Sequence, residues 1–214
     1  MPGVRDGHRP SSTTFTADCQ APAERSAPAW LIGPIRRIEG SSSLDRPVAA
    51  LARLSDRLLG SPRLHGALRG DRLGHALHPL LTDFPLGAWI SATLLDLFGG
   101  RRARPAATGL VAFGLAMTLP TAAAGLAEWR SAGIVSRRVG VVHVALNATA
   151  TTLYGASLLA RLRGEYRRGV ALALAGGGAA WVSGYLGGHL SLVRKVGTAD
   201  PSYGAVPAPW SRPD

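Results

Sequence analysis

Three histidines, His78, His143 and His189, set the chemical question, because each stands at the edge of a long apolar block. Neutral imidazole offers a nitrogen lone pair to a metal and changes charge near neutral pH, so an imidazole beside an apolar segment is a candidate ligand. Further polar groups lie within helical reach of these three. Asp83 follows His78, Asn147 follows His143 by one turn, Tyr185 precedes His189 by one turn, and Glu128 ends another apolar block. Histidines from different helices suit a haem b, whose iron takes imidazole nitrogens from two sides of the porphyrin inside a helix bundle. They also suit a three-histidine site for zinc, copper or iron, with Glu128 or Asp83 as a fourth ligand or as an orienting partner. A third account needs no cofactor. In it His78 and His189 bond water and backbone near the headgroups, while Asn147 and its neighbours hold helices together. No strict ligand motif such as HExxH is present to choose among them.

The elements that must position these groups are four apolar blocks, Leu80 to Leu97, Ala106 to Ala127, Val141 to Ala160 and Val170 to Leu190. Each approaches or exceeds the roughly 18 to 20 residues that cross a hydrocarbon core, and the connections are short and carry arginine. The fold class expected is all-α, a bundle of four transmembrane helices in a multi-pass protein of the cell membrane. Four spans bring the start of the first, the end of the second, the start of the third and the end of the fourth to one face. His78, Asp83, Glu128, His143, Asn147 and His189 all fall there. Stripes at spacings of three and four turn polar groups to a common interior: His143, Asn147, Thr151, Tyr154 and Ser157; Thr118, Thr121, Gly125 and Glu128; and Trp181, Tyr185 and His189. Pro79 sets the start of the first helix beside His78. Asp96, near the far face, is expected to pair with Arg101 or Arg102.

Ahead of the blocks, Val48, Leu51, Leu54 and Leu58 recur at three and four, with Arg and Asp opposite, which reads as an amphipathic helix on the membrane surface or on a partner. The division expected is a disordered tail over 1–43, the amphipathic helix and a connector over 44–72, the transmembrane unit over 73–196, and a flexible tail over 197–214. The net charge of +11 and pI near 11.4 raise nucleic acid as a partner, but the arginines stand at block edges without a zinc-finger, RRM or basic-zipper pattern. The lipid bilayer is the partner they fit. Cys19 is the single cysteine, which closes off an intrachain disulfide and an iron-sulfur cluster.

The segments GHALHPLLTDFPLGAWISATLLDLFGG, TAAAGLAEW, RRVGVVHVALN and GYLGGHLSLVRKVG together resemble the bacterial membrane family called domain of unknown function 2231, over about Leu73 to Val196. The resemblance implies a four-helix membrane unit and supports His78, His143 and His189 as the residues of interest. In some relatives the unit precedes a Rieske iron-sulfur domain. No Cys-x-His pair follows Val196 here, so that chemistry does not carry over. Ala76 stands where the family pattern commonly has Pro, and Glu128 where it commonly has Asp. The functions expected are a haem- or metal-binding redox subunit or, from another class, a non-catalytic anchor or scaffold that seats an electron-transfer protein. A small transporter is a third reading, weakened by the placement of the polar groups at one face and not at the midplane.

Overall fold

The structure, a computed structural model, describes residues 28–197. Of the tails expected over 1–43 and 197–214, residues 1–27 and 198–214 lie outside the described residues. The described residues are all-α, with seven helices in chain order: α1 (Ala29–Gly40), α2 (Asp45–Leu58), α3 (Pro62–Arg69), α4 (Leu77–Phe98), α5 (Arg104–Arg130), α6 (Ile134–Leu162) and α7 (Tyr166–Gly188), the last continuing into a π-helical turn, His189–Val193. The four long helices cover the four apolar blocks, with α6 beginning seven residues ahead of its block and the π-helical turn carrying α7 past the end of the fourth. At 1.5 Å rise per residue they run from about 33 to 44 Å, longer than the ~30 Å hydrocarbon core.

Among the described residues, three helical segments are long and apolar enough to cross a membrane: Leu77–Phe98, Arg101–Arg130 and Tyr166–Val193. Helix α6, at 29 residues, is also long enough, but Arg137, Arg138, His143, Asn147 and Arg161 lower its hydropathy. Proline and glycine set the ends. Pro105 stands in the first turn of α5, where a missing N–H costs nothing. Gly164 takes a left-handed backbone, φ 83°, to turn the chain from α6 into α7.

The long helices pack as two hairpins, α4 with α5 and α6 with α7, joined along α5 with α6 and α4 with α7. Small residues make the close approaches. Gly114 lies against the Trp89 indole and Gly140 against the Trp129 indole, so a Cβ at either would sit inside the ring's contact envelope, and a Cβ at Gly176 would be 3.0 Å from the Tyr154 ring. Trp89 and Tyr154 stack across the bundle with centroids 3.9 Å apart, an arrangement that contributes about 0.5 to 1.5 kcal/mol beyond area burial. Ala92, Val111 and Ala173 complete that core.

Near the C-terminal end of α4, the Asp96 side chain is fully buried against Arg161 in a two-pronged ion pair, and the Tyr166 hydroxyl donates to the same carboxylate at 2.5 Å. This corrects the expected pairing with Arg101 or Arg102. Those arginines are exposed in the turn that follows α4, whereas Arg161 reaches Asp96 from α6 and has its Nε bound to Ser157 Oγ at 3.1 Å.

The opposite end carries α1 to α3. Helix α1 lies within the segment assigned by sequence to the disordered tail. Its Ile35 is buried with Val139 and Leu186, and that contact is what orders it. Helix α2 packs on α5 and α6 through Val48 and Ser55, with Leu59 just beyond it also buried. Leu54 and Leu58, expected on the same apolar face as Val48, are exposed beside it. Three carboxylates fasten α1 and α2 to the bundle: Glu39 of α1 to Arg194 and His189, and Asp45 and Asp56 of α2 to Arg138 at 2.7 Å and Arg130 at 2.8 Å.

The facing arginine holds each of those carboxyls below its ordinary pKa: Arg194 for Glu39, Arg138 for Asp45 and Arg130 for Asp56. A carboxylate with a lowered folded-state pKa contributes stability above its unfolded pKa, and the contribution is lost as pH falls through the folded value. Docking of α1 and α2 is therefore expected to hold from neutral pH down to the ordinary carboxylate range and to weaken below it. Limited proteolysis of the 41–44 and 59–61 connections across pH checks this. Full release between pH 7 and pH 5 would contradict it.

Candidate functional site

His78 opens α4 and His143 lies in the third turn of α6, and their helices bring the two imidazoles edge to face, with centroids 6.5 Å apart and planes 89° apart. Both are half-buried. Each ring is fixed in the same way by the second helix of its own hairpin. His78 Nδ1 donates to the Thr121 carbonyl at 2.9 Å, and His143 Nδ1 donates to the Ser183 carbonyl at 2.8 Å. A carbonyl oxygen only accepts, so in the neutral ring both protons sit on Nδ1 and both Nε2 atoms keep their lone pairs. That tautomer, with the far nitrogen bonded to backbone, is the one metal-ligating histidines adopt.

A glycine lies under each ring. A Cβ at Gly125 would come within 2.8 Å of the His78 imidazole, and one at Gly187 within 3.1 Å of His143. Hydroxyls add to the hold: Thr121 Oγ1 donates to the Leu81 carbonyl at 3.1 Å, and Ser183 Oγ to the His143 carbonyl at 3.1 Å. The Glu128 carboxylate accepts the His78 backbone N–H at 3.1 Å, one of the donors that a helix start leaves without an intrahelical partner. Asn147 Nδ2 donates to His143 Nε2 at 3.0 Å, and His78 Nε2 has no hydrogen-bond partner among the described residues.

Of the residues singled out from sequence, His78, His143, Glu128 and Asn147 are brought together, and His189, Asp83 and Tyr185 are not. His189 lies in the π-helical turn after α7, where its Nε2 is bound to Glu39 Oε1 of α1 at 2.7 Å. Asp83 is exposed, and Tyr185 is 42% exposed. The Trp181, Tyr185 and His189 stripe does not face the interior. The inward face of α7 is Gly169, Ala173, Gly176, Ala180, Ser183 and Leu186, because small residues permit the approach to α6, while the aromatic rings lie outside. Among the described residues no three His, Cys, Asp or Glu side chains are grouped so as to hold a metal ion.

Sequence reasoning missed Glu39, Thr121 and Ser183 as the partners of the three histidines. The carbonyl roles of Thr121 and Ser183 carry no side-chain signature. Glu39 lay in a stretch without clear period.

A test of the ring seats follows from the glycines. Gly125→Ala must push the His78 imidazole off the Thr121 carbonyl, an overpacking that costs about 1 to 3 kcal/mol. At Gly184, one position after Ser183, an added Cβ would meet nothing within 4 Å, so Gly184→Ala is expected to leave thermal stability in detergent unchanged or slightly raised. Equal melting temperatures for the two variants would mean that the His78 ring is not seated as described.

A family model described as "Predicted membrane protein (DUF2231)" matches residues 74–200, which takes in α4 to α7 and every residue of this site. No curated protein matches the chain, and no solved structure does.

Proposed function

The chain belongs to the DUF2231 family of predicted membrane proteins, and from that premise we propose that it is a multi-pass protein of the cell membrane in which α4 to α7 are four spans and His78 and His143 hold a haem b. Helix α6 is the span that composition alone does not select. The arrangement of its polar groups supports it as one: Arg161 is spent on Asp96, His143 on Ser183, and Arg137 and Arg138 lie in its first turns at the headgroup level. Paired and inward charges do not oppose insertion as free ones do.

The observation that carries the cofactor reading is the matched pair of Nδ1 hydrogen bonds to backbone, which leaves two imidazole Nε2 atoms as donors from two helices. The two rings are neighbours, with centroids 6.5 Å apart, so a metal held by both would take its Nε2 ligands from α4 and α6. Two ligands suffice for a haem, whereas the tetrahedral metal sites considered from sequence need three or four, and His189 is engaged by Glu39. When bound, haem supplies a one-electron couple at its iron. The chain's own residues do the rest. Thr121 and Ser183 fix the tautomer, Gly125 and Gly187 give the rings room, and Asn147, which now donates to His143 Nε2, must release that nitrogen. Such a carrier works with an electron-transfer protein as its partner.

The test is the absorption spectrum of protein purified from membranes in detergent. The expectation is a Soret band with stoichiometric haem in the wild type, sharply reduced in His78→Ala and His143→Ala and unchanged in His189→Ala. Colourless, metal-free wild-type protein from haem-replete cells would reject the cofactor and leave the pair as a packing device in a membrane anchor. The span count has its own check. Reporter fusions after Leu59 and after Val196 are expected on the same side of the membrane, and opposite sides would refute four spans.

A further inference from the structure

The two hairpins repeat each other residue by residue. His78, Trp89, Ala92 and Asp96 on α4 stand 65 positions before His143, Tyr154, Ser157 and Arg161 on α6, and each of the His, Trp–Tyr and Asp–Arg pairs is in direct contact across the bundle. On the second helices the offset is 62. Arg104, Ala107, Val111, Gly114, Thr121 and Gly125 on α5 correspond to Tyr166, Gly169, Ala173, Gly176, Ser183 and Gly187 on α7. The three-residue difference falls in the connection, where α4 and α5 are joined through a 3-10 turn, Arg101–Ala103, that has no counterpart between α6 and α7.

The contacts repeat with the residues. Gly114 seats Trp89 as Gly176 seats Tyr154, Gly125 seats His78 as Gly187 seats His143, and the Thr121 and Ser183 carbonyls accept the two imidazole protons. Between hairpins, α5 on α6 is matched by α7 on α4. The outer surfaces agree as well: Leu94 and Leu159 are each 53% exposed, and Leu119 and Trp181 are 76% and 80% exposed.

We infer that α4–α5 and α6–α7 are two copies of one helical hairpin, related by a pseudo-twofold axis that runs along the bundle through the His78/His143, Trp89/Tyr154 and Asp96/Arg161 pairs. Residues at equivalent positions meet each other only where a twofold axis passes between them, and three successive pairs along α4 and α6 define its line. The histidine site is then two equivalent half-sites, with Thr121 and Ser183 as the positioning residues that fix each imidazole. That second part rests on the reading of the pair as the ligand site. A ligand on the axis meets the same donor from either side, which suits a group with two equivalent faces. Departures from symmetry fall where one copy has specialised: Asp96 and Arg161 are unlike so that they can pair, and Asn147 replaces the equivalent of Thr82 beside one imidazole.

Two measurements on cofactor-free protein test the inference, so that absence of haem would not decide it. With Cys19→Ser as background, spin labels at Leu94 and Trp181 are expected to give the same distance distribution as labels at Leu159 and Leu119, because the axis exchanges the two pairs. Distributions whose means differ by more than about a helical turn, 5.4 Å, would overturn the axis. In histidine labelled with nitrogen-15, both His78 and His143 are expected as the Nδ1–H tautomer, with each signal lost in its own His→Gln variant. An Nε2–H tautomer at either residue would overturn the equivalent half-sites, even with the axis intact.

Discussion

A carboxylate and a guanidinium buried among apolar helices constrain everything around them, and Asp96 with Arg161 is such a pair. Desolvating either ion alone costs several kcal/mol, an amount comparable to the whole stability of a small domain. Arg161 therefore has to present its planar fork to Asp96 while Ser157 and Tyr166 satisfy the remaining donors and acceptors. That geometry fixes the height of α6 against α4. Once the height is fixed, Tyr154 falls opposite Trp89 and His143 opposite His78, since the same rise per residue runs up both helices.

The small residues of α5 and α7 are what permit this line of contacts. An indole, a phenol and two imidazoles need space on the partner helix, and Gly114, Gly176, Gly125 and Gly187 supply it at the required turns. Lipid offers no hydrophobic drive to bring helices together, so close packing and internal hydrogen bonds have to do so. The bulky apolar groups, Leu94, Leu119, Leu159 and Trp181, are accordingly on the outside, the reverse of their usual place in a water-soluble protein. The histidine pair thus sits in a frame set by contacts about three to five turns away from it.

Much of the architecture was legible in the sequence, because apolar blocks of span length are a strong signal and Pro, Gly and Arg mark their ends. The meeting of His78 and His143 at one end of neighbouring helices was legible too. The rest depended on facts that a stripe on one helix does not contain. Trp181, Tyr185 and His189 have helical spacing, but spacing alone does not say which face is inward, and here the Gly, Ala and Ser face won because it packs more closely. Asp96 was matched to the nearest arginines in the chain, while its partner lies 65 residues on. Helix α1 escaped notice because Gly33 and Pro34 break its pattern, and it is held by Ile35 and Glu39 and not by local propensity. The repeat was present in the residue numbers all along, hidden by substitutions such as Trp89 to Tyr154 and Asp96 to Arg161 that preserve contact and not identity.

The most direct test of the account is to exchange the buried charges. Asp96→Asn and Arg161→Ala each strand one ion in an apolar site, a change that costs about 3 to 5 kcal/mol, and each is expected to lower the melting temperature in detergent steeply. The reciprocal exchange, Asp96→Arg with Arg161→Asp, restores the pair at positions that the axis makes equivalent, and it is expected to recover most of that loss. A double exchange no more stable than the worse single variant would contradict the claim that the two hairpins meet as equivalent halves on one line of paired residues.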